Sequence, residues 1–186
     1  PIYVNAALAG TGEFVDAHGA ASGGPQQDVL DLWKAAAPHV DLAAPDIYDR
    51  SSVNTASYFD AFTRPDNPLF VAEIGNDADY ARQFWAMLGR RGIGFVPFGI
   101  DGTGYSNFPL GAAQLDDATL DAFARNYAVI APNMRDWARL AAGHPVWGVA
   151  EPDDGARQSR RMGEWTVQVA FGEWQFGERD APWLKA

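Results

Sequence analysis

Four short apolar runs recur along the chain at nearly even intervals: "PIYVNAAL" at 1–8, "VDLAAPDIY" at 40–48, "NPLFVAEIG" at 67–75 and "IGFVPFGI" at 93–100. Each is too short for a buried helix and shows little polar alternation, the pattern of strands covered on both faces. The segments between them carry a different period. "GGPQQDVLDLWKAAA" predicts a helix over about 25–37, with a proline in its first turn and Val29, Leu30, Trp33 and Ala37 at helical spacing. "SSVNTASYFDAFTR" predicts a second, capped by Asn54 and burying Tyr58, Phe59 and Phe62. "ADYARQFWAMLGRRG" predicts a third, capped by Asp77, striped by Tyr80, Phe84, Met87 and Leu88, and ended by Gly92.

Strand and helix in strict alternation mean a parallel sheet with helices packed on it. Two architectures fit, the open doubly wound sheet and the (β/α)8 barrel. Neither G-x-G-x-x-G nor G-x-x-x-x-G-K-[ST] occurs, so the phosphate-binding turn of a nucleotide fold is missing and the barrel is the expectation. About four βα units make only half of a barrel, which takes roughly 250 residues. The chain opens at Pro1 inside an expected strand, so the other, N-terminal half of the barrel is expected upstream.

After the fourth strand, "DGTGYSNFPLGAAQL" reads as a long glycine-rich loop, followed by helix from about 117 to 141. Leu120, Phe123, Tyr127 and Ile130 share one face of that helix, and Pro132 kinks or breaks it. Beyond it Trp165, Val167, Val169 and Phe171 alternate with polar or small residues, the period of a half-exposed antiparallel strand. The expected organisation is therefore the C-terminal half of a barrel over 1–142, a linker over 143–162 and the start of a β-rich accessory domain over 163–186.

Composition removes several functions. A formal net charge of −10, with no basic run longer than an arginine pair, argues against nucleic acid or an anionic membrane as partner. No cysteine is present, which excludes thiolate catalysis and cysteine-ligated metals. No segment has the ~20 apolar residues of a membrane span. Asp16 and His18 are too isolated to make a metal site, so no metal and no other cofactor is expected. Ser106 lies in no G-x-S-x-G elbow, which disfavours a serine hydrolase. The seven Trp, six Tyr and eleven Phe suit either a packed core or the walls of a sugar cleft. Trp33, Trp85 and Trp137, on helical stripes, read as core or interface.

Glu73 is the anomaly in this pattern. A buried carboxylate must be paired or put to use, so it is either bridged to an arginine such as Arg50 or Arg82, or catalytic. In barrels the chemistry collects at the C-terminal ends of strands, and Asn5, Asp46, Tyr48, Glu73, Phe98 and Asp101 all stand at or near such ends. Asp46, directly after Pro45, reads as a turn residue. Glycoside cleavage needs two carboxyl groups flanking the scissile bond, and Glu73 is placed to be one of them.

"VDLAAPDIY", "NPLFVAEIG" and "GIGFVPFGIDGTGYSN", in this order and spacing, resemble the last half of the catalytic barrel in bacterial β-galactosidases of glycoside hydrolase family 35, or a close relative in the same clan. The resemblance covers about residues 1–142, and the stretch after 163 is similar to the accessory domain that follows the barrel there. It implies a retaining, double-displacement hydrolase of terminal β-D-galactosides with Glu73 as nucleophile. Tyr48 is the first candidate to hold that carboxylate by a hydrogen bond. Asn5, Phe98, Asp101 and Tyr105 are the further candidates for contact with a carbohydrate substrate. "FGIDGTGYSN" departs from the family's F-H-G-G-T-N-F-G, the histidine being replaced. The clan's acid/base is a Glu preceded by Asn, and no such dipeptide occurs, so the proton donor is expected upstream and the chain alone is expected to be inactive. An endo-acting β-mannanase or β-glucanase on the same barrel, or an inactive carbohydrate-binding relative, are the alternatives. The compartment stays open, with periplasm or exterior favoured; a homo-oligomer is compatible with this reading but not required by it.

Overall fold

The computed structural model describes residues 1–8 and 24–172. They form two compact units, Pro1–Ala150 and the segment that begins at Glu151. Glu13, Asp16, His18, Trp174 and Trp183 lie outside the described residues.

The first unit is built on four parallel strands, β1 (Tyr3–Ala7), β2 (Leu42–Ile47), β3 (Phe70–Ile74) and β4 (Gly94–Pro97), lying side by side in chain order. The connections carry α1 (Leu30–Ala36), α2 (Ser52–Phe62) and the short pair α3 (Ala78–Ala81) and α4 (Phe84–Leu88). α5 (Asp117–Ile130) follows β4, then a 3-10 turn at Ala131–Asn133 and α6 (Met134–Gly143). The unit is thus α/β with a parallel sheet.

Alternation along the strands sorts residues to two faces. Ala43, Ile47, Val71, Ile74 and Phe95 enter one core with Leu30, Tyr58, Phe59, Phe62, Tyr80, Phe84 and Met87 from the helices. On the opposite face Tyr3 meets Phe70 edge to face at 5.0 Å across the intervening strand. Gly94 lies beneath the Phe70 ring, where a Cβ would come within 2.4 Å of ring carbons. Tyr3 and Val96 on this side are exposed.

β3 departs from strict alternation. Val71 is paired with Phe95 and Ile74 with Pro97, so β3 spends one residue more than β4 over the same length. This bulge returns Ile74 to the helix-facing core and leaves Ala72 and Glu73, both half-buried, between the two core residues.

Local chemistry moves several boundaries. α2 is capped by Ser51, whose Oγ accepts from the Asn54 amide, while the Asn54 side chain donates to Asp49, so Asn54 is not the cap. α1 starts only at Leu30, because the Gln26 side chain donates to the Ala7 carbonyl and holds the preceding stretch against β1. Asp77 caps α3, accepting from the Asp79 amide, but the expected single helix is split in two at Arg82–Gln83. Of the face expected along α5, Phe123 and Ile130 are buried; Leu120 and Tyr127 stay partly exposed, with the Tyr127 hydroxyl donating to the Phe95 carbonyl. Pro132 falls in the 3-10 turn that separates α5 from α6.

Residues after α6 remain with the first unit. Gly148 lies so close to α4 that a Cβ there would sit 1.9 Å from the Trp85 carbonyl, and Ala150 is part of the core. In the second unit β5 (Gln158–Met162) and β6 (Trp165–Val169) form an antiparallel hairpin. Its first strand occupies residues expected to be linker. Gly163, at φ 62°, takes the first position of the two-residue turn, which a side chain would disfavour. Among the described residues no helix is long and apolar enough to cross a membrane.

Candidate active site

The side chains that gather at the C-terminal end of the sheet come from three neighbouring strands. Asp46 on β2 and Glu73 on β3 are register partners, and Asn5 on β1 lies two register pairs back, opposite Ala44. Asn5 Nδ2 donates to both carboxylate oxygens of Asp46, each at 2.9 Å. Tyr48, just past β2, donates from its hydroxyl to Glu73 Oε1. Without the bulge, alternation would put Glu73 on the helix side with Val71; the extra residue turns it to the side of Asp46 and Tyr48.

The two arginines that could have neutralised Glu73 are engaged elsewhere. Arg50 pairs with Asp77 at 2.6 Å and with Asp79 at 3.7 Å. Arg82 donates to the carbonyls of Asp79 and Arg50. Glu73 is held by a neutral phenol.

Electrostatics separate the members of the group. Burial raises the Tyr48 phenol above the ordinary tyrosine range, and the hydrogen bond to Glu73 and that carboxylate's charge push the same way, so Tyr48 stays protonated and donates. Asp46 is pushed up from 3.8 to about 6, chiefly by burial; Asn5 opposes the shift and the charge of Glu73 adds to it.

The loop after β4 is fastened to the end of β3. Asn76 Oδ1 accepts from the Ala112 amide, the Tyr80 hydroxyl donates to the Leu110 carbonyl, and Arg50 donates to the Pro109 carbonyl. Fastened in this way, the loop buries Asn107 beside Tyr48. Asn107 Oδ1 accepts a long 3.5 Å bond from the Tyr105 hydroxyl, and its Nδ2 is buried short of hydrogen-bond geometry with any described partner. Asn107 lies against the Tyr48 hydroxyl and works against the rise of that phenol.

Of the residues singled out in the sequence, Glu73, Tyr48 and Asn5 are brought into this group. Asn5 Nδ2 clamps a carboxylate on the next strand. Phe98 and Tyr105 meet edge to face at 5.9 Å and are both exposed. Asp101 is occupied locally, accepting from the amide and hydroxyl of Thr103, which hold its carboxyl below the usual range. Asp46 is a correction: it is no turn residue but a buried member of β2. The signal was the one that marks Glu73, a carboxylate placed before the last apolar residue of a run. Asn107 left no such signal, because its burial depends on where a long loop is fastened. Among the described residues no group of three His, Asp or Glu is placed to hold a metal ion.

Residues 123–185, about a third of the chain, match the model of a domain of unknown function, DUF5597. The match begins inside α5, takes in the hairpin and does not include Glu73. No curated protein matches the sequence.

Proposed function

We propose that this chain carries the nucleophile of a retaining glycoside hydrolase acting on terminal β-galactosides, built on a (β/α)8 barrel of which it supplies the C-terminal half. The observation that carries this reading is the setting of Glu73: at a strand's C-terminal end, half-buried, held by the Tyr48 hydroxyl and not by an arginine. Strands added in chain order, with the helices in one core and exposed residues on the other face, suit a sheet that closes on itself. Galactose comes from the sequence resemblance alone.

In the reaction, a Glu73 oxygen forms a bond to the anomeric carbon as the bond to the leaving oxygen breaks, and that oxygen takes a proton from an acid elsewhere in the barrel. Water then attacks the same carbon, gives its proton to the conjugate base of that acid, and releases Glu73 as carboxylate. Tyr48 positions the carboxylate for attack. Phe98 and Tyr105 offer apolar ring faces to the sugar. Asp46 is not suited to be the acid, because it stands beside Glu73 in the sheet and not across a bond from it.

The test is a 2-deoxy-2-fluoro-β-galactoside inactivator applied to the full-length protein, followed by peptide mapping. The label is expected on the peptide containing Glu73. A label elsewhere, or none while turnover continues, removes the assignment.

A further inference from the structure

Asp46 is a buried acid to which the reaction above gives no task. Its strand neighbours define its surroundings. On one side Asn5 reaches both of its oxygens with a single amide nitrogen; on the other its register partner is Glu73. Register partners on adjacent parallel strands project to the same face about 4.8 Å apart, so two carboxyl groups stand side by side. The titratable groups facing Asp46 are Glu73 on β3 and Tyr48 on its own chain segment; Asn5 on β1 is uncharged, and the helices pack on the opposite face through Ala43 and Ile47.

We propose that Asp46 is a proton-linked positioning residue for Glu73: clamped by Asn5, it takes up a proton while Glu73 is charged and gives it up when that charge is lost. The occasion for the loss, an ester between Glu73 and the sugar, rests on the function proposed above; the pairing itself rests on the sheet. The charge of Glu73 beside it raises the proton affinity of Asp46. The midpoint of about 6 for Asp46, to which the Glu73 charge contributes, agrees in direction. Asn5 acts as the counterweight, since its donated hydrogens favour the ionised form.

The experiment is a carbon-13 carboxyl NMR titration of the protein, with the Asp46 signal assigned by its disappearance in Asp46→Asn. A midpoint near pH 6 is expected in the unmodified protein. Glu73→Gln should lower it and Asn5→Ala should raise it, with unchanged far-UV circular dichroism in both. A midpoint that Glu73→Gln leaves in place overturns the proposal. In the full-length protein the pH profile of kcat/KM supplies the second readout: its alkaline limb should move to higher pH in Asn5→Ala and lose the component near pH 6 in Asp46→Asn. An active enzyme whose limb neither substitution moves overturns the positioning role. The titration needs no turnover, so coupling seen in a protein without glycosidase activity would remove the proposed reaction and leave the carboxyl pair standing.

Discussion

The hydroxyl of Tyr48, one residue past the end of β2, donates to Oε1 of Glu73 on β3, so a phenol and a carboxylate join two neighbouring strand ends. The bond lies on the face away from the helices. It gives Glu73 a partner that stabilises its charge without cancelling it, the setting that the proposed nucleophile needs.

Tyr48→Phe removes that donor and little else. A hydrogen bond to a charged group contributes about 1.5–3 kcal/mol, so kcat of the full-length protein on an aryl β-galactoside should fall roughly 10- to 150-fold. The protein should remain folded. Unchanged kinetics would show that Tyr48 does not serve the reaction.

Glu73→Ala should lower turnover by roughly 10⁴-fold or more. Added azide, small enough to enter the space left by the side chain, should restore turnover on an activated aryl galactoside and yield the α-galactosyl azide. A β-configured product, or no rescue together with an intact fold, would speak against covalent catalysis by this residue.

Asn67 directs its side chain to three backbone groups: Oδ1 accepts from the Ala43 amide at 2.8 Å, while Nδ2 donates to the carbonyls of Ala43 at 2.9 Å and Phe62 at 3.0 Å. All of this is buried. Asn67→Ala should therefore destabilise the first unit by about 3 kcal/mol, since each orphaned buried group costs about 1–3 kcal/mol. Urea unfolding followed by tryptophan fluorescence measures it, and a loss below 1 kcal/mol would mean that other partners compensate.

Gly148→Ala would place a methyl 1.9 Å from the Trp85 carbonyl and 2.9 Å from the Gly89 amide nitrogen. Backbone cannot yield as a flexible side chain would, so the expected cost is about 1–3 kcal/mol, with the segment ending at Ala150 lifting from α4. Faster amide hydrogen exchange in α4 is the local sign to look for.

Asp46 makes stability depend on pH in a direction opposite to that of most carboxylates. Its folded midpoint of about 6 lies above its ordinary 3.8, so between these values the folded protein binds more protons than the unfolded chain. Stability is therefore fully retained below pH 4 and is lost as pH rises through 6, by at most about 3 kcal/mol. Asp46→Asn, which cannot ionise, should gain about 1–2 kcal/mol at pH 8 and nothing at pH 4. A gain that does not vary with pH would remove this account.

Much of the first unit was legible in the chain because its strands are apolar on both faces and its helices carry a 3.6-residue period, signals that survive without any partner in view. Glu73 stood out for the same reason: a charge in an apolar run has an energetic cost that sequence alone makes visible. The helix ends were less legible. Ser51 and Asn54 are both good caps by type, and only the carboxylate of Asp49, which takes the Asn54 side chain, decided between them. The strand at Gln158–Met162 was hidden in a polar stretch, because the pairing that defines it lies in the partner strand and the turn at Gly163.

What the sequence by itself determined is the order of elements and the presence of carboxylates at the ends of β2 and β3, since local period and burial energy are properties of short segments. What only the tertiary structure decided is where those carboxylates point. The one-residue bulge between Val71 and Ile74, created by pairing with β4, turns Glu73 toward Asp46 and Tyr48, and the register of β1 on β2 brings Asn5 to Asp46. Register and bulge arise from contacts between strands more than twenty residues apart, and no local pattern encodes them.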